Sequence, residues 1–173
     1  CLGKAMANGM PLSAVCGKRE LMGELDHAFF SMTAGGECLS LAACRATLDV
    51  LVKKDYQDHI WRLGHKLAEQ FSGIIKSHGL DATFAGSPPR HNLSFGVTHS
   101  DPGGMKDLFY QEMVKRGILF GNVVYVTFAH DDDVIDKTVS VAREAFQVVS
   151  DNRDRVDSVL QGKRSVSIFR KNT

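Results

Sequence analysis

Gly3-Lys4-Ala5-Met6-Ala7-Asn8-Gly9-Met10-Pro11-Leu12 places a lysine in a stretch with two glycines and a proline, directly before the short apolar run from Leu12 to Cys16. Glycine and proline at that density mark a loop. The pattern predicts a loop running into a buried strand, with the Lys4 amine carried into a cleft. A neutral lysine amine attacks carbonyl carbon and forms Schiff bases. A second stretch, Phe30-Ser31-Met32-Thr33-Ala34-Gly35-Gly36-Glu37, leads into a long helical pattern. There a hydroxyl and free backbone N–H groups meet the positive end of a helix dipole, a combination suited to phosphate. The plainer readings are a solvated lysine near a terminus and an ordinary helix cap, and spacing alone leaves both open.

The wording of the two stretches goes further than their spacing. Leu2-Gly3-Lys4-Ala5-Met6-Ala7-Asn8-Gly9-Met10-Pro11-Leu12 resembles the Schiff-base lysine motif of class III pyridoxal-phosphate aminotransferases, nearest to the glutamate-1-semialdehyde 2,1-aminomutase branch. Thr33-Ala34-Gly35-Gly36-Glu37 is similar to that family's Thr-x-Gly-Gly segment, and Ala129-His130-Asp131-Asp132-Asp133-Val134-Ile135-Asp136-Lys137-Thr138 to its C-terminal pattern. The resemblance therefore runs over nearly the whole chain. It implies pyridoxal 5'-phosphate as cofactor, Lys4 as the catalytic and cofactor-binding lysine, and Thr33 as a cofactor-binding residue that reaches the phosphate held by a partner subunit. A homodimer and a small amino acid or amino-aldehyde substrate are implied with it, and the expected location is cytoplasmic.

Composition excludes several other classes. With 173 residues, 43% hydrophobic and 24% charged, the chain has the make-up of a globular domain with a real core. A formal net charge of +1 gives no electrostatic case for nucleic acid or an anionic membrane, and the pairs Lys163-Arg164 and Arg170-Lys171 are too short for a binding patch. No apolar run reaches the roughly 18 residues that span a bilayer. Cys1, Cys16, Cys38 and Cys44 form no C-x-x-C pair, which points to a reducing compartment. The seven histidines lack zinc-ligand spacing, so no metal is expected.

Read in order, the chain predicts a strand at Leu12 to Cys16, a short helix from Lys18 to Leu25, and Phe29-Phe30 leading into the Thr33 turn. A helix buried on much of its circumference follows from Glu37 to Lys53. Ile60, Leu63, Leu67, Phe71, Ile74 and Ile75 give an amphipathic helix from Gln57 to Ser77, stopped at Gly79, with Trp61 as a packing anchor. Strands are expected at Asp81 to Ala85 and Asn92 to Val97 around a Gly86-Ser87-Pro88-Pro89 turn. Asp101-Pro102 starts a helix that ends at Gly117. Further strands are expected at Ile118 to Phe120 and Val123 to Ala129. The Asp131-Asp132-Asp133 cluster reads as a helix start rather than a metal site, and Val134 to Val149 as that helix's inward stripe. One or two turns around Val156 to Leu160 and a loose end from Arg164 to Thr173 complete the chain.

The fold class is α/β, α+β in the C-terminal part. By resemblance, residues 1–52 form the tail of a large fold-type I cofactor domain and residues 53–173 its C-terminal small domain. In the family the aspartate that pairs with the pyridine nitrogen and the phosphate loop precede the lysine, and only three residues precede Lys4. The expectation is a C-terminal portion of an aminotransferase or aminomutase. The alternative is a non-catalytic fragment that folds and self-associates. The Gly117 to Val123 segment is shorter than the family's, and Arg90, in the Pro-Pro turn, reads as a surface arginine with carboxylate pairing as the second reading.

Overall fold

The computed structural model describes residues 1–29, 32–53 and 55–166, Lys53 through its backbone. The expectations for Phe30 and for the end beyond Val166 lie outside those residues. The chain divides into two compact units, Cys1–Gln57 and Asp58–Thr173.

In the first unit Leu2 and Ala14 exchange two backbone hydrogen bonds, Leu2 N–H to Ala14 O at 2.7 Å and Ala14 N–H to Leu2 O at 2.9 Å. This isolated bridge is all that forms of the strand expected at Leu12 to Cys16. Pro11 has no N–H, and among the described residues no neighbouring strand extends the ladder. Inside the loop that the bridge closes, Lys4–Ala7 form one turn of 3-10 helix. The expected helix from Lys18 shortens to α1 (Arg19–Met22), continued by a 3-10 segment, Gly23–His27, and its Leu21 is exposed. The helix α2 spans Cys38–Lys53. It packs against the Lys4–Ala7 turn, with Ala7, Ser40 and Cys44 buried. Leu39, Leu41, Leu48 and Val52 are exposed, so the expected burial around its circumference is not found.

The second unit has a conventional core. The helix α3 (Tyr56–Ser77) buries Ile60, Leu63, Leu67, Phe71, Ile74 and Ile75, the stripe that its periodicity predicts. Trp61 is 46% exposed and does not anchor the packing, because it faces away from that stripe. A three-stranded antiparallel sheet in the order β1 (Ala82–Ser87), β2 (Arg90–Phe95), β3 (Val123–Tyr125) lies next in the chain. Ser87 pairs with Arg90, so the hairpin turn narrows to Pro88-Pro89 and Arg90 belongs to a strand rather than a turn. A Cβ on Gly64 would lie 1.7 Å from the Pro88 carbonyl oxygen, and only glycine lets α3 approach the hairpin so closely.

Asp101 caps α4 (Pro102–Lys115) by accepting from Gly104 N–H at 2.9 Å, as the Asp-Pro signal predicts. The helix closes with Gly117 at φ +81°, Gly117 N–H to Val114 O and Ile118 N–H to Met113 O. That closure takes the Ile118 amide and replaces the strand expected at Ile118 to Phe120. β3 is shorter than expected because Pro88 and Pro89 cannot donate to it. The last contact is Val126 N–H to Pro89 O at 2.9 Å. Asp131 caps α5 (Asp132–Asp151) through Val134 N–H at 2.9 Å, while Asp132 pairs with Arg62 and Lys66. Val134, the first residue of the expected inward stripe, is exposed, whereas Ile135, Val139, Ala142, Phe146 and Val149 are buried. After α6 (Val156–Val159), Arg164 and Ser165 are held rather than loose: Arg164 bonds both Asp101 oxygens, and Ser165 bonds Asp107.

The centre is aromatic. Phe71 lies 4.5 Å from Phe84 and 5.6 Å from Phe120 between ring centroids, and Phe109 lies 4.5 Å from Phe146. Burial of each such ring contributes about 1.5–3 kcal/mol.

Candidate cofactor site

The chemistry-bearing residues of the sequence fall in the first unit. Lys4 opens its 3-10 turn at φ +52°, in the left-handed region that side chains other than glycine and asparagine seldom adopt. Asn8 follows at φ +48° as the cap of the turn and Gly9 at φ +99°. The Leu2–Ala14 bridge closes the loop around them, and Ala7 is fully buried beneath it. A backbone held in a sparsely populated conformation beside a reactive side chain is a recurrent property of functional loops. The Lys4 side chain is exposed, and no hydrogen bond or ion pair joins its ammonium to any described residue.

Thr33 begins the turn that ends at Gly36, which stands at φ +81°. Gly35 N–H donates to Met32 O at 3.0 Å and Glu37 N–H to Ala34 O at 3.2 Å, so the turn is internally bonded. Thr33 is exposed, and its hydroxyl has no partner among the described residues. No hydrogen bond joins Thr33 to Lys4. The role that the resemblance gives Thr33, service to another subunit's cofactor, requires none.

The first turn of α2 departs from the expectation of free N–H groups. The Glu37 carboxylate accepts Leu39 N–H at 2.7 Å through Oε1, and Ser40 N–H at 2.7 Å together with the Ser40 hydroxyl at 2.5 Å through Oε2. The Ser40 hydroxyl and the two amides hold the Glu37 carboxyl below its ordinary range. Glutamate ranks behind aspartate, asparagine and serine as a cap residue, which is why this contact was not read from the sequence.

Arg90 is exposed and lies over the Tyr125 ring, 5.9 Å from its centroid. No carboxylate of a described residue pairs with it. Elsewhere in the second unit, a cavity of about 390 Å³ is lined by Leu67, Ile118, Phe120, Val124, His130 and Ile135 among others. Two of its polar groups are engaged, His130 Nδ1 by Thr127 N–H and the Thr138 hydroxyl by Val134 O. It contains neither Lys4 nor Thr33, and it offers no amine. Among the described residues no group of histidine, cysteine, aspartate or glutamate is placed to hold a metal, and no helix is long and apolar enough to cross a membrane.

Residues 1–134 match the family model for aminotransferase class-III. The chain is 28% identical over 167 residues to glutamate-1-semialdehyde 2,1-aminomutase of Neisseria gonorrhoeae (strain ATCC 700825 / FA 1090), covering 86% of this chain and 38% of that protein. It is 26% identical over 162 residues to glutamate-1-semialdehyde 2,1-aminomutase 2 of Bacillus pumilus (strain SAFR-032), covering 85% and 37%. The chain thus spans well under half the length of these relatives. Among solved structures it is similar to the FumI protein of Sphingopyxis sp. MTA144 in its PLP internal aldimine form, with a TM-score of 0.76 and 22% identity over 92% of this chain and 37% of that one. It is also similar to a transaminase with PLP bound, with a TM-score of 0.77 and 19% identity over 87% of this chain and 38% of that one. The fold is that of the PLP-dependent transaminases, fold type I, with helices and a small antiparallel sheet.

Proposed function

The chain belongs to the class-III aminotransferase family, and from that premise we propose that it acts as the C-terminal portion of a pyridoxal-phosphate-dependent aminotransferase or aminomutase in which Lys4 is the cofactor lysine. Pyridoxal phosphate is the cofactor of the family. The observation that carries the reading for this chain is the Lys4 loop itself: a primary amine with no partner among the described residues, on a backbone held at positive φ and closed by the Leu2–Ala14 bridge. The donor set fits the group. Lys4 would supply a nucleophilic amine for the cofactor's aldehyde, and the Thr33 hydroxyl would supply a neutral donor for the phosphate. When bound, the cofactor supplies an electron sink for charge developing at the substrate carbon. Lys4 would hold and move a proton at its Nζ beside the substrate carbon, and Thr33 would hold the phosphate end.

The domain reading follows from the same premise. Residues 1–52 are the tail of the large cofactor-binding domain and residues 53–173 the small domain. The substrate is a small amino acid or amino-aldehyde, as the name of the aminomutase relatives suggests, and the assembly is a cytoplasmic homodimer. The aminotransferase and aminomutase forms differ in whether the amine returns to the carbon skeleton that gave it up, and both use the same lysine. The second reading, a non-catalytic fragment, draws on the exposed apolar residues of α2, which suit self-association as well as completion by further chain.

Incubation with pyridoxal phosphate followed by borohydride reduction and peptide mapping tests the assignment. The expected result is a pyridoxyl group concentrated on Lys4 and absent from that peptide in Lys4→Ala. Labelling spread evenly over the surface lysines with Lys4 unmodified overturns it.

A further inference from the structure

We propose that the cavity beside β3 is a binding site for a small uncharged molecule that carries an amide on an apolar body. The site lies wholly in the second unit and uses neither Lys4 nor Thr33.

Its shape follows from how the chain leaves α4. Ile118 N–H is spent on Met113 O, no strand forms at Ile118 to Phe120, and β3 is the last strand of the sheet. His91 lies opposite Val124, and Val126 N–H reaches Pro89 O at 2.9 Å. Antiparallel pairs alternate, so Val124 turns its main-chain groups to β2, while Val123 and Tyr125 turn theirs away from it. The N–H and C=O of those two residues have no partner among the described residues. Both residues line the cavity, whose volume of about 390 Å³ falls in the range of roughly 300–1,000 Å³ usual for small-molecule sites. Its walls come from Leu67, Phe120, Val126 and Ile135, all buried.

Two side chains add polar groups whose sense is fixed. His130 Nδ1 accepts Thr127 N–H at 3.1 Å, which puts the proton of the neutral ring on Nε2. That Nε2–H has no partner among the described residues. His59 Nε2 donates to His130 O at 2.7 Å and holds the main chain of the residue. The Thr138 hydroxyl donates to Val134 O at 2.8 Å, and its oxygen remains able to accept. The lining therefore presents donors at His130 and Tyr125 and acceptors at Thr138 and Val123.

No aspartate, glutamate, lysine or arginine is among the lining residues. A carboxylate, phosphate or ammonium group placed there gives up its hydration and meets no counter-charge. An amide matches the lining in both respects: its oxygen accepts, its N–H donates, and it carries no charge. The apolar body takes the walls. A peptide strand laid along β3 is disfavoured, because only Val123 and Tyr125 of this short strand face outward to bond it.

The test titrates the chain at neutral pH with hexanamide and with hexanoate, which share an apolar tail and differ in the charge of the head. The Nε2 resonance of His130 is followed in chain labelled at its histidine nitrogens. Hexanamide is expected to bind with a Kd of about 1 mM or lower, to shift that resonance, and to exceed hexanoate by about tenfold or more. His130→Phe and Thr138→Val, which keep the side-chain volumes, should each weaken hexanamide about fivefold, the effect of one lost hydrogen bond. No saturable binding of hexanamide overturns the proposal. So does hexanoate binding as tightly, a His130 resonance that stays still while hexanamide binds, or binding undiminished in both variants.

Discussion

The helices α2 and α3 reverse the usual relation between apolar content and burial. α2 is the more apolar in sequence, yet its Leu39 is 63% exposed and its Val52 82%. α3 has fewer apolar residues for its length but gathers them on one face, and six of them, from Ile60 to Ile75, are buried with Gly64 against the hairpin. Periodicity and something to pack on decide burial, and hydrophobic content alone does not. The same division separates the two units. Residues 1–57 carry the lysine loop and the threonine turn over little core, while residues 58–173 carry the aromatic core.

The largest expected effect lies in that core. Phe146→Ala, which removes a ring packed on Phe109 and Phe71, should cost about 3–5 kcal/mol in urea unfolding of the chain. A loss below about 1 kcal/mol would break the contrast by showing that the second unit is not the stable one.

Glu112 comes next. It is buried on α4, and burial opposes its ionisation, but hydrogen bonds from Arg116, Lys115 and Gln111 prevail and bring its pKa down to about 2. Its folded-state value lies below the unfolded one. The stability it contributes is therefore complete above pH 4.5 and is lost as pH falls towards about 2. Glu112→Ala should cost about 1–3 kcal/mol at neutral pH and flatten the acid limb of a melting-temperature profile; an unchanged limb would contradict this.

His91 gives a smaller effect at milder pH. Its ring is 2% exposed and stacks on Phe84 at 4.7 Å, and its Nδ1 has no partner. Burial first, and His65 second, lower its pKa from 6.5. Stability is thus fully present above pH 6.5 and declines as acid protonates the unfolded chain first. His91→Phe should remove that decline. A wild-type melting temperature flat from about pH 7 to about pH 5 would contradict the assignment.

The smallest effect is expected on α2. Leu48→Ala, at an exposed apolar position, should change the stability of the chain by no more than about 0.5 kcal/mol. A cost of several times that would show that α2 is packed more fully in solution than its exposure indicates.

Legibility in the sequence followed the same division. The stripe of α3, the Asp101 and Asp131 caps and the Gly117 stop are local signals, and each appears where spacing put it. The failures are tertiary. Leu12 to Cys16 has strand composition but no strand partner beyond Leu2 among the described residues, and Ile118 lost its amide to the end of α4. Trp61 has an anchor's size but the wrong angle on its helix. In the candidate site, Lys4 and Thr33 were legible as proposals because their motifs are contiguous. The left-handed backbone at Lys4 and the Glu37 cap were not, since lysine does not announce positive φ and glutamate is a secondary choice for a cap.

The claim that chemistry belongs to the thinly packed unit is tested most directly by amide hydrogen exchange on the chain with and without pyridoxal phosphate. Without it, the amides of α3 and α5 should be the slowest and those from Leu2 to Gly9 among the fastest. With it, protection should rise in the Lys4 loop and the Thr33–Gly36 turn and stay unchanged from residue 58 onward. Protection that appears instead around the cavity lined by Ile118, Phe120 and His130, with the Lys4 loop unaltered, would contradict the account.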